Sequence, residues 1–160
     1  MPTTYLLTSF YWDNLINFGM NPKLDGQGGY LFTLPTGEAK MPGIAVEDIG
    51  KCAYGVFKQG AGAIGKTIGV SGEHLSGAEM AAILSDVLGI KCAFNAVTPE
   101  TYRGFGFPGA DDLGNMFQFK RDFEADYRGA RDPAVARALN PELMTFRDWA
   151  TANKERIPLT

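Results

Sequence analysis

Short apolar segments and helical patterns alternate over the first 96 residues, and this alternation restricts the fold more than any other feature of the sequence. Four segments have the short, apolar composition that is typical of strands: residues 4–8, 30–34, 67–70 and 90–94. Two segments between them, residues 49–57 and 76–88, place apolar side chains at the three- and four-residue spacing of a helix. Strands and helices that alternate in this way predict an α/β domain.

The pattern becomes largely helical after about residue 96. Pro99 follows Thr98 in the arrangement that starts a helix. Three further helices are predicted, at residues 110–121, 133–139 and 145–157. No linker rich in proline, glycine or serine separates the two parts. We therefore expect one fold, in which residues 1–96 carry the strands and residues 97–160 form a small, largely helical lobe.

Composition and charge exclude several kinds of partner. The chain carries 15 Lys and Arg residues against 18 Asp and Glu residues, a formal charge of −3, with no basic stripe to neutralise phosphates. Its longest apolar runs, such as residues 30–34, are far shorter than the roughly 20 residues of a membrane span. We therefore expect neither nucleic acid nor a membrane as a partner. The N-terminal sequence lacks the features of a secretory signal, which predicts a cytoplasmic protein.

The residues that most often bind metals are few and widely spaced. Cys52 and Cys92 each lie within an apolar pattern, and we expect both to be buried, unpaired thiols. His74 is the only histidine, and no cysteine or histidine spacing typical of metal ligands occurs, so no metal site is predicted. We expect His74 to be an ordinary loop residue. The charged residues 120–128 are more typical of a solvated helical face than of a carboxylate pair for acid–base chemistry.

A glycine-rich segment, GAGAIGKT at residues 60–67, satisfies two phosphate-binding patterns. Both patterns require a buried strand before the glycines and a helix after them, because the helix N-terminus and the loop amides must point together at the phosphate. Here the predicted helix comes first and the predicted strand follows. The segment is therefore predicted to be a plain connection between a helix and a strand.

The end of the first strand is the most informative place for a ligand. Residues 8–14, TSFYWDN, combine hydroxyl, aromatic and amide side chains where the strand turns into a helix. Ligands in open α/β sheets lie off the carboxyl ends of the strands. A cofactor or substrate ring could stack here on Tyr11 or Trp12 and bond to Asn14. The alternative is that the aromatic rings belong to the core and that Asp13 caps a helix.

Four blocks of sequence resemble the NmrA-like family of atypical short-chain dehydrogenase/reductases. They are LLTSFYWDNL (6–15), YLFTLPTGEAKMPGIAVEDIG (30–50), GKTIGVSGEHLSGAEMAAILSDVLG (65–89) and TPETYRGFGFPGADDLGNMFQF (98–119). The resemblance implies the C-terminal portion of a Rossmann-type NAD(P)-binding fold with a small, largely helical lobe. It also implies that four residues lie beside the nicotinamide half of NADP: Tyr11, Trp12, Asp13 and Asn14. Four phenylalanines are candidates to line a substrate pocket: Phe10, Phe105, Phe107 and Phe117.

The chain also departs from the family pattern, because the glycine-rich GxxGxxG turn of the family does not occur in it. A phosphate that loses its charge-assisted site loses at least about a hundredfold in affinity, so we expect weak NADP binding or none. The strands at Leu6 and Ile68 would lack the parallel neighbours that normally cover their edges, which predicts a protein partner or self-association through an uncovered sheet edge. Three functions remain open: part of an NADP(H)-sensing regulator, an NAD(P)H-dependent reductase of quinone-like or other carbonyl substrates, or a partner-binding module.

Overall fold

The computed structural model describes all 160 residues, and it contains eight short strands and eight α-helices. The strands are β1 (Tyr5–Leu7), β2 (Phe10–Tyr11), β3 (Lys23–Leu24), β4 (Tyr30–Leu34), β5 (Met41–Ile44), β6 (Thr67–Gly69), β7 (Glu73–Leu75) and β8 (Cys92–Ala96). The helices are α1 (Asn14–Asn17), α2 (Val46–Lys58), α3 (Gly77–Leu88), α4 (Pro99–Arg103), α5 (Ala110–Asp122), α6 (Glu124–Gly129), α7 (Pro133–Leu139) and α8 (Phe146–Asn153). The predicted alternation and the helical last third are both present.

The strands form three small sheets. β1 pairs with β6 in parallel, and β5 lies between β2, a parallel neighbour, and β7, an antiparallel one. β4 lies between β3, which is antiparallel, and β8, which is parallel over five residues. The parallel pair β1–β6 is joined by a long crossover that includes α2, whereas the crossover of the pair β2–β5 contains α1, β3 and β4.

Local sequence signals set several helix ends. Ser76 and Glu79 form the predicted capping box at the start of α3, and Gly89 ends that helix with a left-handed backbone, φ 65°. Thr145 and Asp148 form a second capping box at the start of α8. These bonds satisfy backbone amides that would otherwise lack partners.

One hydrophobic core joins the strands to the C-terminal helices. Its 16 buried residues run from Phe10 to Ile157 and centre on three large rings: Trp12, Phe146 and Trp149. The Trp12 and Phe146 rings meet edge to face at 5.4 Å, and the Phe146 and Trp149 rings stack at 5.8 Å. Residues on both sides of position 96 therefore share this core.

The structure corrects two expectations, one about His74 and one about Cys92. His74 does not lie in a loop: it belongs to β7 and lies opposite Pro42 of β5. The segment Glu73–Leu75 is too short and too polar for its sequence to indicate a strand, and it is a strand only because it pairs with β5. Cys52 is buried, but Cys92 is only partly buried; both thiols are free. None of the helices has the length and apolar composition needed to cross a bilayer.

Candidate functional site

The segment Thr8–Asn14 leaves the carboxyl end of β1 and passes through β2 into α1. Both strands have parallel partners, so this segment lies at the edge of the sheets where ligands of α/β folds bind. Tyr11 is the last residue of β2, and its side chain is 37% exposed. Its hydroxyl group and the hydroxyl group of Thr8 are hydrogen-bonded at 3.0 Å. The ring of Tyr11 is therefore held in place and accessible to a ligand.

Trp12 occupies a different environment from its neighbour. Only 1% of Trp12 is exposed, and its indole packs against Gly43 so closely that a Cβ on Gly43 would come within 2.2 Å of Nε1. The stacking role that the sequence suggested for Trp12 is therefore not available in this conformation. A strand turns successive side chains to opposite faces, so Tyr11 points outward and Trp12 enters the core.

Asp13 joins the candidate site to the next helix. Its carboxylate accepts a hydrogen bond of 2.9 Å from the backbone N–H of Val46, the first residue of α2. Although Asp13 stands before α1, its side chain makes no capping bond there. Since Ala45 cannot cap α2 with its own side chain, Asp13 does so from a distant part of the chain. Asn14 begins α1 and is partly buried.

The four phenylalanines predicted to line a substrate pocket form one cluster with Tyr102, a residue that the sequence patterns did not indicate. The ring of Tyr102 lies 5.6 Å from Phe105, 5.5 Å from Phe107 and 5.7 Å from Phe117. Phe117 in turn lies 6.1 Å from Phe10. Phe10 and Phe117 are buried, whereas Phe105 and Phe107 are exposed. The cluster therefore runs from the core beneath the ligand-facing segment to the surface of the lobe, with Phe105 and Phe107 alone accessible.

A buried lysine, Lys120, and a partly buried arginine, Arg131, lie beside the same segment. The Lys120 ammonium is 5.5 Å from the ring centres of both Phe117 and Tyr127, and the Arg131 guanidinium lies 3.9 Å from the Tyr127 ring. Burial, reinforced by the positive charge of Arg131, lowers the pKa of Lys120 to about 8. Arg131 donates from Nε to the carbonyl oxygen of Thr8 at 2.7 Å.

The sequence interpretation missed this pair because it treated residues 120–128 as a solvated face. That interpretation holds for Arg128, which pairs with Glu124 at 3.0 Å. It is wrong for Lys120, which is only 7% exposed. Phe117 and Lys120, three residues apart, lie on one face of α5, and this spacing could have indicated the burial of Lys120. Tyr127 belongs to α6, so only the tertiary structure brings its ring to Lys120.

The glycine-rich segment 60–67 connects α2 to β6, as predicted. Its backbone amides already have partners within the chain: Gly65 donates to the carbonyl oxygen of Thr3 at 2.8 Å, and Lys66 donates to that of Ala63 at 3.1 Å. Gly62 and Ile64 donate to carbonyls of the preceding turn. A phosphate would have to compete with these bonds, which favours the structural role.

The remaining reactive side chains are Cys52, His74 and the carboxylates. No three His, Cys, Asp or Glu side chains converge in a way that could hold a metal ion. Burial, with a smaller contribution from the charge of Asp48, raises the pKa of Cys52 to about 11, so the thiolate is not formed near neutral pH. His74 Nε2 lies 2.8 Å from the carbonyl oxygen of Arg131 and Nδ1 accepts from Arg128, which indicates a positioning role for the chain around Arg131.

Parallel strand pairs with a ligand-facing segment at their carboxyl ends define a Rossmann-like α/β protein. The chain belongs to the NmrA-like family, whose model matches residues 1–150. The predicted family and its fold are thus confirmed.

Solved structures similar to this chain include a regulator and two reductases. NmrA, a negative transcriptional regulator in complex with NAD, aligns with a TM-score of 0.74 and 18% identity over 94% of this chain and 52% of that one. The triphenylmethane reductase of Citrobacter sp. aligns with a TM-score of 0.73 and 21% identity over 96% of this chain and 52% of that one. An NADPH-dependent quinone oxidoreductase from Escherichia coli aligns with a TM-score of 0.65 and 18% identity over 90% of this chain and 52% of that one. The chain thus spans about half the length of the structures it matches.

Proposed function

We propose that this chain forms the nicotinamide-side and effector-facing part of an NADP(H)-sensing regulator of the NmrA-like family. The observation that carries the proposal is the position of Tyr11, an accessible aromatic ring at the carboxyl end of paired parallel strands. A planar nicotinamide ring can stack on Tyr11, and the side chain of Asn14, three residues on, is the candidate partner for the carboxamide. The family match and the NAD and NADP complexes of NmrA support the cofactor class.

The charge of the chain fits this half of the cofactor. The nicotinamide ring and its carboxamide carry no phosphate, and the net charge of the chain is −3. The glycine-rich segment 60–67 has its amides engaged within the chain, so it does not offer a diphosphate site. We therefore expect whole NADP to bind weakly, through its nicotinamide end.

Fragments of the cofactor test this proposal. Nicotinamide mononucleotide is expected to shift the backbone amide NMR signals of residues 8–14 with a dissociation constant of millimolar order, whereas adenosine 2′,5′-bisphosphate is expected to shift none of them. Tyr11→Ala should weaken the binding of the mononucleotide about tenfold, because the stacking surface is lost. Tyr54→Ala is the matched control, since Tyr54 is 65% exposed on α2.

The same titration separates a sensor from a reductase. A sensor responds to redox state only through different affinities for the oxidised and reduced forms, so we expect these to differ at least about fivefold. Equal affinities, or equal losses in the Tyr11 and Tyr54 variants, would contradict the proposal. Oxidation of the reduced mononucleotide by a small quinone, accelerated by the chain, would favour the reductase that the similar structures represent.

A second candidate function is that of a partner-binding module, and the outer edge of β1 favours it. β1 pairs only with β6, so its other edge has no strand beside it. An apolar groove of about 530 Å³ is lined by Leu6 of β1 together with Val56, Phe57 and Ile64. Phe57 is 80% exposed. An unpaired strand beside exposed apolar side chains is a surface that accepts a further strand.

Self-association would be the simplest use of this edge. If a second copy binds there, light scattering should give a mass above 17.3 kDa that rises with concentration, and a Phe57→Ser/Ile64→Ser variant should remain monomeric. A matched Phe18→Ser variant, at an exposed ring outside the groove, should associate like the wild type. A folded monomer at all concentrations would exclude self-association.

A further inference from the structure

Lys120 is a buried ammonium group that has no anionic partner in the chain. Its pKa is lowered by burial and by the like charge of Arg131, and no carboxylate or hydrogen-bond acceptor raises it. Its closest companions are the rings of Phe117 and Tyr127, each 5.5 Å away. Aromatic faces attract a cation, but they compensate only in part for the water that it has lost.

Arg131 adds a second positive charge beside the same ring. Its guanidinium lies over Tyr127 and donates to the carbonyl oxygens of Thr8 and Tyr127, at 2.7 and 3.3 Å. Neither Lys120 nor Arg131 forms an ion pair, whereas Arg103, Arg121 and Arg128 each pair with a carboxylate. Two cations that share one aromatic ring without a nearby carboxylate repel each other. A negative group placed between them would reduce this repulsion and would supply the anionic partner that both lack.

These groups adjoin the candidate ligand site. Arg131 holds Thr8, and Phe117 packs against Phe10, so the cations lie beside the segment that leaves β1. Ser9 lies within that segment, and its hydroxyl group is buried and has no hydrogen-bond partner. Buried polar groups normally have partners, so an unpartnered hydroxyl group and an unpaired ammonium beside one segment point to a ligand.

We propose that Lys120, together with Arg131, forms a subsite for the anionic oxygen of an aromatic carboxylate. The aromatic part of such a ligand matches the rings that surround Lys120, and its carboxylate supplies the missing negative charge. Phe119 is exposed, and its ring lies 6.5 Å from that of Tyr127, so this side of the ring cluster reaches the surface. The location beside the nicotinamide rests on the proposed function, but the anion subsite itself does not.

Benzoate is the probe, and its neutral analogue benzamide is the ligand control. In the wild-type chain, benzoate is expected to raise the melting temperature and to bind with a dissociation constant of millimolar order, whereas benzamide should do neither. Lys120→Met keeps the length of the side chain and removes the charge. It should weaken benzoate binding at least about tenfold, while Lys154→Met, at an exposed lysine, should bind like the wild type.

The wild-type chain alone provides a second test that does not depend on folding of the variant. Because burial and Arg131 lower the pKa of Lys120 to about 8, its ammonium is present below that pH and is lost above it. Benzoate affinity should therefore fall about tenfold between about pH 7 and about pH 9. Benzoate remains an anion over this range, and burial raises the pKa of the neighbouring Tyr127 phenol further above it. The Tyr11 phenol is the other titratable group near Tyr127.

A purely structural role for Lys120 predicts different results. If Lys120 only packs against the surrounding rings, the Lys120→Met variant should bind benzoate as the wild type does. This outcome would overturn the proposal. Equal binding of benzoate and benzamide, no binding of benzoate, or an affinity constant across the pH range would overturn it as well. None of these results would bear on binding of nicotinamide mononucleotide, so the two proposals can fail independently.

Discussion

Replacing Trp12 with alanine is expected to lower the free energy of unfolding by about 3–5 kcal/mol, the usual cost of removing a large ring from a core. Trp12 is 1% exposed and touches Phe146 and Trp149, so its loss leaves a cavity between the strands and α8. These rings link the two parts of the chain. The effect of the substitution should therefore spread to the C-terminal helices as well as β2.

Urea denaturation followed by circular dichroism measures this loss. Tyr54→Ala is the control, because that ring is 65% exposed and exposed substitutions usually change stability by less than about 0.5 kcal/mol. A loss below about 1 kcal/mol for Trp12→Ala would mean that the indole is not part of the core. Trp12 would then become a candidate again for stacking on a ligand, beside Tyr11.

Two glycines of the same helix are expected to respond to alanine in opposite directions. A Cβ on Gly55 would lie 2.5 Å from the carbonyl oxygen of Leu139, the last residue of α7. The backbone there cannot move aside without separating α2 from α7, so Gly55→Ala should cost about 1–3 kcal/mol. A Cβ on Gly50 would meet nothing within 4 Å, and Gly50→Ala should stabilise the helix by about 0.5–1 kcal/mol.

The contrast between these two variants identifies the cause of the loss. Both gain the same helix propensity, so any difference between their unfolding free energies measures the contact with α7. The same junction holds the buried carboxylate of Asp48, which accepts from the side-chain amide of Asn140 and from the backbone N–H of Met144, both at 2.9 Å. If Gly55→Ala proved as stabilising as Gly50→Ala, close packing of α2 on α7 would be contradicted.

Local sequence signals accounted for much of the fold. The capping box at Ser76 and Glu79, the terminal Gly89 and the proline after Thr98 were all identified from residue types and spacing. These features depend on neighbours within one helical turn, so the sequence contains all the information they need. β7, by contrast, exists only because β5 lies beside it, and no pattern of three residues encodes a partner from another part of the chain.

The candidate site was predicted in position but not in detail. Residues 8–14 were placed at the carboxyl end of a strand because strand position and ligand position are linked in α/β folds. The sequence does not indicate which of the adjacent residues Tyr11 and Trp12 is accessible to a ligand. In the structure Tyr11 is accessible and Trp12 is buried. Asp13 was expected either to lie beside the nicotinamide or to cap the helix that follows it, and in the structure it caps α2 through the backbone N–H of Val46.

The amino-acid sequence by itself determined the α/β class, the helical lobe, the family and the segment where a ligand is expected. Those conclusions rest on periodicity, local hydrogen bonds and the order of motifs along the chain. Only the tertiary structure decided that Trp12 belongs to the core and that Lys120 is a buried cation beside Arg131. Burial and charge pairing depend on residues distant in sequence. The position of a charged residue in a helical pattern therefore does not show whether water or an aromatic ring surrounds its side chain.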